Sequence, residues 1–209
     1  MVKIDILIPS NKKRHLCLSQ IEAITNTVKS NARIIHTGFD KSAAENRNLA
    51  LSNVVDVDYI IMLDDDITGF YDGWDLDLIR PLKDDSVMLV SARLKNKDFT
   101  YQDTIGDVKD YKSKYVKTNH NIIPSCAIVY RGEDKDLRFD TAYKGSGFED
   151  TDIMLQFQSR YPGKFIVINN QCQLVHNHEG KNQSETFWVN RCYFQKKWKL
   201  NDVEIYNYH

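Results

Sequence analysis

Apolar and polar positions alternate along the chain in two rhythms, one of period two and one of period three to four. Residues 2–8 alternate and then run apolar, which predicts a buried strand closed into a loop by Pro9-Ser10-Asn11. Leu18, Ile21, Ile24, Thr25 and Val28 follow at helical spacing, and residues 32–36 give a second strand. That order implies parallel strands joined by a right-handed crossover. A second helix is predicted over residues 42–54 and a third strand over 58–63. The run from Tyr59 to Leu63 is too short for a helix and apolar throughout, as a strand covered on both faces of a parallel sheet must be.

Further on, residues 67–77 read as a loop or short helix, 86–92 as a strand, and 122–130 as a strand interrupted by Pro124. Ile153, Met154, Phe157 and Tyr161 continue a helix, residues 165–169 and 172–175 give one or two short strands, and Phe187, Trp188, Arg191, Cys192, Gln195 and Trp198 mark a last helix with a basic exposed side. Residues 95–121 are polar and weakly periodic, the signature of a lid or binding loop, and carry Phe99, Tyr101, Tyr111 and Tyr115 as candidates for stacking on a sugar or base. The fold class is therefore α/β, with a mostly parallel central sheet flanked by helices.

A chain of 209 residues with 42% hydrophobic and 27% charged residues supports one good core, so a single domain over 1–209 is expected. The formal charge of −1 supplies no global field to draw in nucleic acid or anionic lipid. No apolar run reaches membrane-spanning length and the amino terminus has no signal-peptide pattern, so no membrane insertion and a cytoplasmic location are expected. Cys17, Cys126, Cys172 and Cys192 are irregularly spaced, without a zinc-binding pattern, and read as reduced and structural.

The chemistry concentrates in four places. Asp64, Asp65 and Asp66 follow the third strand without a spacer, and three carboxylates in one turn repel each other unless a cation or donor groups compensate. A hard divalent ion, Mn2+ or Mg2+, held by one or two of them would keep positions open for substrate phosphates. Arg47 lies on the apolar stripe of the second helix, four residues after Ala43 and four before Leu51. A guanidinium on that side needs an anion: a nucleotide diphosphate, or Asp64 or Asp66 when no ligand is bound. Glu149 and Asp150 follow a glycine-containing segment and fall on the side of Ile153, Met154 and Phe157, where a carboxylate could take a proton from a nucleophilic hydroxyl. His176 and His178 end a strand on one face, and either could complete a carboxylate-held metal site.

The residues Ile6 to Ser10, Ala44 to Leu51, Tyr59 to Asp66 and Gly147 to Asp152, in this order and spacing, resemble the GT-A fold glycosyltransferases, particularly the family 2 type. The resemblance implies a Rossmann-like domain with a small antiparallel acceptor-side part, and a sugar transferred from a nucleotide-sugar donor, a UDP-sugar first among them, to a hydroxyl acceptor. It assigns residues 1–94 to donor binding, 95–121 to a lid or acceptor loop, and 122–209 to the acceptor and the base. Asp64-Asp65-Asp66 resembles the DxD motif, with Asp66 and Asp64 as metal ligands completed by His176. Pro9, Ser10, Arg47, Asp64 and Asp65 would meet the donor, Asp150 would be the base of an inverting reaction, and Glu149 would orient Asp150 or the acceptor.

Two other functions fit parts of the pattern. A nucleotidyltransferase uses a similar sheet with a glycine-rich, basic loop after the first strand, and Pro9-Ser10-Asn11-Lys12-Lys13-Arg14 has the charge without the glycines. Against a non-catalytic nucleotide-sugar or glycan-binding module stand Asp64, Asp66, Glu149, Asp150 and His176 together. The acceptor is open among a glycan, a protein and a hydroxymethylated base in nucleic acid. For the last, the basic residues Lys12 to His15, Lys112, Lys114, Lys117, Lys196, Lys197 and Lys199, with Trp198, could form a local track.

Overall fold

The computed structural model describes residues 1–11, 17–102, 110–118, 125–177, 185–201 and 204. Strand β1 (Lys3–Asn11) pairs in parallel with β2 (Asn31–Phe39) on one side and β3 (Tyr59–Leu63) on the other, with helix α1 (Cys17–Thr27) crossing between β1 and β2. A cross-strand ion pair fixes the first register: Asp5 faces Arg33, whose Nε and Nη2 donate to its two carboxylate oxygens at 2.9 and 2.7 Å. Pro9 does not end β1 as the sequence suggested. The β1–β3 pairing stops at Leu7 and Met62, so the missing N–H of Pro9 falls where β1 is paired on one side only.

Beyond β3 the sheet continues through β7 (Ala127–Arg131), β5 (Val87–Lys95) and β8 (Phe165–His176), giving the order β2-β1-β3-β7-β5-β8. Of these six strands β7 alone runs against the others, being antiparallel to both β3 and β5. Two short strands, β4 (Ile67–Thr68) and β6 (Tyr115–Thr118), pair antiparallel with β8. Of the one or two strands suggested here, β8 is one, because a register shift opposite Ala92 and Arg93 absorbs residues 170–172 without ending the pairing.

Alternate residues send the core to both faces of the sheet. Ile4, Ile6, Ile8, Ile61, Leu63 and Val129 pack with Ile24 of α1 and with Trp74 and Leu78 of α3 (Trp74–Ile79). Leu7, Ile60, Met62, Ile128 and Tyr130 pack with Ala50 and Leu51 of α2 (Ala43–Leu51) and with Ile153 and Phe157 of α4 (Glu149–Arg160). The result is three layers, with the helices covering a sheet whose central strands β3 and β5 are buried except at Tyr59 and Lys95.

The polar stretch 95–121 is pinned where it is described. Arg93, 1% exposed, donates to Asn170, and Asn170 in turn donates to the carbonyls of Asp110 and Ser113. Helix α5 (Glu185–Trp198) has Lys196 and Lys197 on its exposed side, as the sequence suggested, and the Lys197 amine turns to Asp140 and Asp152; Trp188 and Val189 are 51% and 60% exposed. Among the described residues no helix is long and apolar enough to cross a membrane.

Candidate active site

A cleft of about 430 Å³ opens beyond the carboxyl ends of β1 and β3, the end at which open α/β sheets bind ligands. Because β7 is reversed, its start lies at the same edge and adds Ser125 and Cys126 to the wall. The remaining wall comes from Lys41 to Arg47 at the head of α2, from Gly145 to Asp150 at the head of α4, and from His176 at the end of β8.

The acid turn is gripped from three directions. The backbone N–H of Asp64 donates to the Cys126 carbonyl at 2.8 Å, Gln20 donates to the Asp64 carbonyl at 2.9 Å, and the N–H of Asn177 donates to the Asp66 carbonyl at 3.0 Å. Ser10 donates to the Asp65 carboxylate at 2.8 Å, which leaves Asp65 buried and occupied with β1. Asp66 turns the other way, its Oδ1 3.3 Å from Nε2 of His176.

Arg47 answers its odd place on the helix stripe. Only 7% exposed, it donates Nη1 to Glu149 at 2.7 Å and Nη2 to Asp64 at 3.1 Å, and so ties the end of β3 to the head of α4. Its helix is held in place by a capping box at Ser42 and Glu45 and by Asn48, whose amide exchanges hydrogen bonds with the backbone of Phe139 at 2.7 and 2.8 Å. Burial alone would lower the Arg47 pKa, but Asp64, Glu149 and Asp150 outweigh it and keep the group charged. The opposite happens at Glu149, where burial and the neighbouring Asp150 push the carboxyl up to about 7 against the pull of Arg47.

The entry to α4 is strained. Gly147 and Phe148 both have positive φ, +107° and +70°, and for a bulky residue such as Phe148 that conformation is unfavourable. Burial of Phe148 against Phe187 and Phe194 holds it there. The turn lets Glu149 reach back to the N–H of Gly147 while Asp150 faces the cleft and accepts from Ser125 Oγ at 2.6 Å. Asp152, in the same first turn, is fully buried and accepts from Tyr143, Gln156, Lys197 and Trp198, so it anchors α5 and takes no part in the cleft.

All nine residues singled out from the sequence line this one cleft: Pro9, Ser10, Arg47, Asp64, Asp65, Asp66, Glu149, Asp150 and His176. His178 and Lys12 to His15 lie outside the described residues. Ser125 and Cys126 were missed, because only the β3–β7 register brings them beside Asp64. Cys126 was read as merely structural, yet Asp64, Cys126 and His176 each bring one ligand atom within 4.8 Å of the others, close enough to hold a divalent metal ion. The Cys126 thiol is pushed up by burial and by Asp64.

Compared by sequence, the chain matches no family model and no curated protein. Compared by structure, it is similar to the crystal structure of GalNAc-T7 with UDP, GalNAc and Mn2+, with a TM-score of 0.62 at 11% identity. The match covers 94% of this chain and 48% of that one, so the chain spans about half its length. With the strand order and the position of the cleft, this likeness gives the chain the GT-A, Rossmann-like fold.

Proposed function

We propose that this protein is a metal-dependent glycosyltransferase of the family 2 type, moving a sugar from a nucleoside-diphosphate sugar to a hydroxyl acceptor with inversion. The observation that carries the reading is the Arg47 bridge: one guanidinium shared by Asp64 and Glu149, in a cleft that also gathers Asp66, Asp150 and His176. Against the carboxylates of Asp64, Asp65, Asp66, Glu149 and Asp150 the described lining sets Arg47 and Lys41, an acidic balance that favours a cation there. A cation so held also gives an anionic diphosphate a partner. GalNAc-T7 holds UDP and Mn2+ on a similar fold, and a uridine nucleotide and Mn2+ or Mg2+ are the ligand classes proposed here.

In this reading Asp64, Asp66 and His176 hold the metal, and Pro9, Ser10 and Asp65 shape the nucleotide side. When bound, the ion supplies positive charge against the charge that develops on the departing diphosphate. Arg47 has one face toward the cleft acids and exchanges part of that pairing for phosphate oxygens. Asp150 takes the proton of the acceptor hydroxyl; Ser125 Oγ, donating to Asp150, marks the hydrogen-bonding position that an acceptor hydroxyl would take. Glu149, locked by Arg47 and the Gly147 N–H, fixes the direction of Asp150. Residues 1–94 form the donor half, 95–121 the acceptor loop that limits water, and 122–209 the half carrying the base. A cytoplasmic location is proposed on the free thiols of Cys126, Cys172 and Cys192.

A thermal-shift panel of UDP-, GDP-, ADP- and CDP-sugars with and without Mn2+ tests the reading. Stabilisation by one nucleotide, dependent on Mn2+ and lost in Asp66→Asn, is expected. Indifference to every nucleotide in the presence of Mn2+ would overturn it.

A further inference from the structure

Cys126 is the cleft residue that neither the acid turn nor the proposed base accounts for. We infer that Cys126 is a thiolate ligand of the cleft's cation, and that it turns the site toward Co2+, Zn2+ and Cd2+ and away from Mg2+. This rests on the cleft being a cation site and goes further by naming the class of ion.

The placement is set by backbone. The β3–β7 ladder ends at Leu63 opposite Ala127, and the Asp64 N–H to Cys126 carbonyl bond at 2.8 Å extends it by one residue. Residues 64 and 126 are thereby held side by side across the two strands. From the other side, β4 pairs Ile67 with His176, and the Asn177 N–H binds the Asp66 carbonyl, which brings the imidazole over the same turn. Carboxylate, thiol and imidazole meet there with one ligand atom each inside 4.8 Å. Three points that far apart lie no more than about 2.8 Å from a common centre, and ligand distances of about 2.0 to 2.3 Å are reached when each side chain closes by about half an ångström.

The donor set then selects the ion. Mg2+ requires a near-ideal octahedron of oxygens, whereas thiolate and imidazole favour borderline and soft ions. His176 has Nδ1 3.3 Å from Oε1 of Gln102 and Nε2 3.3 Å from Asp66; in the tautomer that donates from Nδ1 to Gln102, Nε2 offers its lone pair to an ion beside Asp66. On binding, the Cys126 S–H proton passes to solvent, the sulfur–metal bond forms, and no change of oxidation state is involved. A thiol that merely packs beside the cleft would leave the ion's spectrum untouched, and this separates the two roles.

The test uses the full chain with Co2+ as the probe, comparing wild type, Cys126→Ser and Cys126→Ala at equal occupancy fixed by equilibrium dialysis. Wild type should show a near-ultraviolet sulfur-to-cobalt charge-transfer band that both variants lose. Zn2+ affinity, measured by competition with a chromophoric chelator, should fall at least about tenfold in both variants while Mg2+ affinity stays the same. Co2+ bound by wild type without that band, or a band persisting in the variants, removes Cys126 from the ligand set and leaves the cation reading standing. Failure of wild type to bind Co2+ or Mn2+ with or without UDP would sink both. The alanine variant guards against a serine oxygen standing in for the sulfur, and unchanged metal-free unfolding of either variant shows that the fold survives.

Discussion

Replacing Arg47 by methionine removes the guanidinium that pairs with Asp64 and Glu149 while keeping most of the side chain's bulk. Its two partners differ in exposure: the Glu149 side chain is 4% exposed and that of Asp64 25%. Breaking a buried pair by deleting one member costs about 3–5 kcal/mol, because the survivor is left charged in a poor solvent. Asp64 recovers part of that from water in the cleft. Glu149, its carboxyl already up to about 7, can take a proton at modest cost near neutral pH. Both corrections pull the figure to the low end, about 3 kcal/mol at pH 8 and less at pH 5. For a chain of this length that corresponds to a fall in Tm of about 6–12 °C. Urea unfolding followed by circular dichroism gives the free energy directly. The double variant Arg47→Met with Glu149→Gln should lose at least about 1 kcal/mol less than the sum of the two single changes. Strict additivity, or a single-variant loss below about 0.5 kcal/mol, would refute the bridge.

Asp150→Asn should keep donor affinity and lower transfer by about 10² to 10⁴-fold, measured as nucleotide binding against product formation. Full turnover in that variant would remove Asp150 as the base. Gly132→Ala should destabilise by about 1–3 kcal/mol in urea, since the new Cβ would stand 1.9 Å from the Val57 carbonyl oxygen, a backbone atom that cannot swing aside. For metal-free protein, the raised Glu149 pKa means that the folded state holds a proton the unfolded chain has already released between about 4.5 and about 7. This group's contribution to stability therefore declines as pH rises through that window. Glu149→Gln should accordingly gain stability relative to wild type from pH 5 to pH 8, and a relative loss over that range would contradict the assignment.

Much of this architecture can be read without coordinates, because strands buried on both faces and helices with one apolar face leave distinct periods. Tyr59 to Leu63 is an example, and so is the Arg47 anomaly, since a guanidinium on an apolar stripe already announces an anion. What stays hidden depends on register and on contacts distant in sequence. Cys126 meets Asp64 only through the antiparallel pairing of β3 and β7, which no local pattern encodes. Lys197 reads as exposed in a basic run, yet its amine reaches Asp140 and Asp152 in segments far earlier in the chain. The choice between one strand and two over residues 165–175 is likewise not local: a bulge opposite Ala92 and Arg93 carries polar residues without breaking the ladder, and the strand is one.

The shared cation is the centre of the account, and calorimetric titration of UDP into the protein with Mn2+ or with a chelator measures it most directly. Tight binding with Mn2+, weakened at least about tenfold by the chelator and to the same extent by Asp66→Asn, is the predicted result. Equal UDP affinity in all three conditions, or none in any, would contradict it.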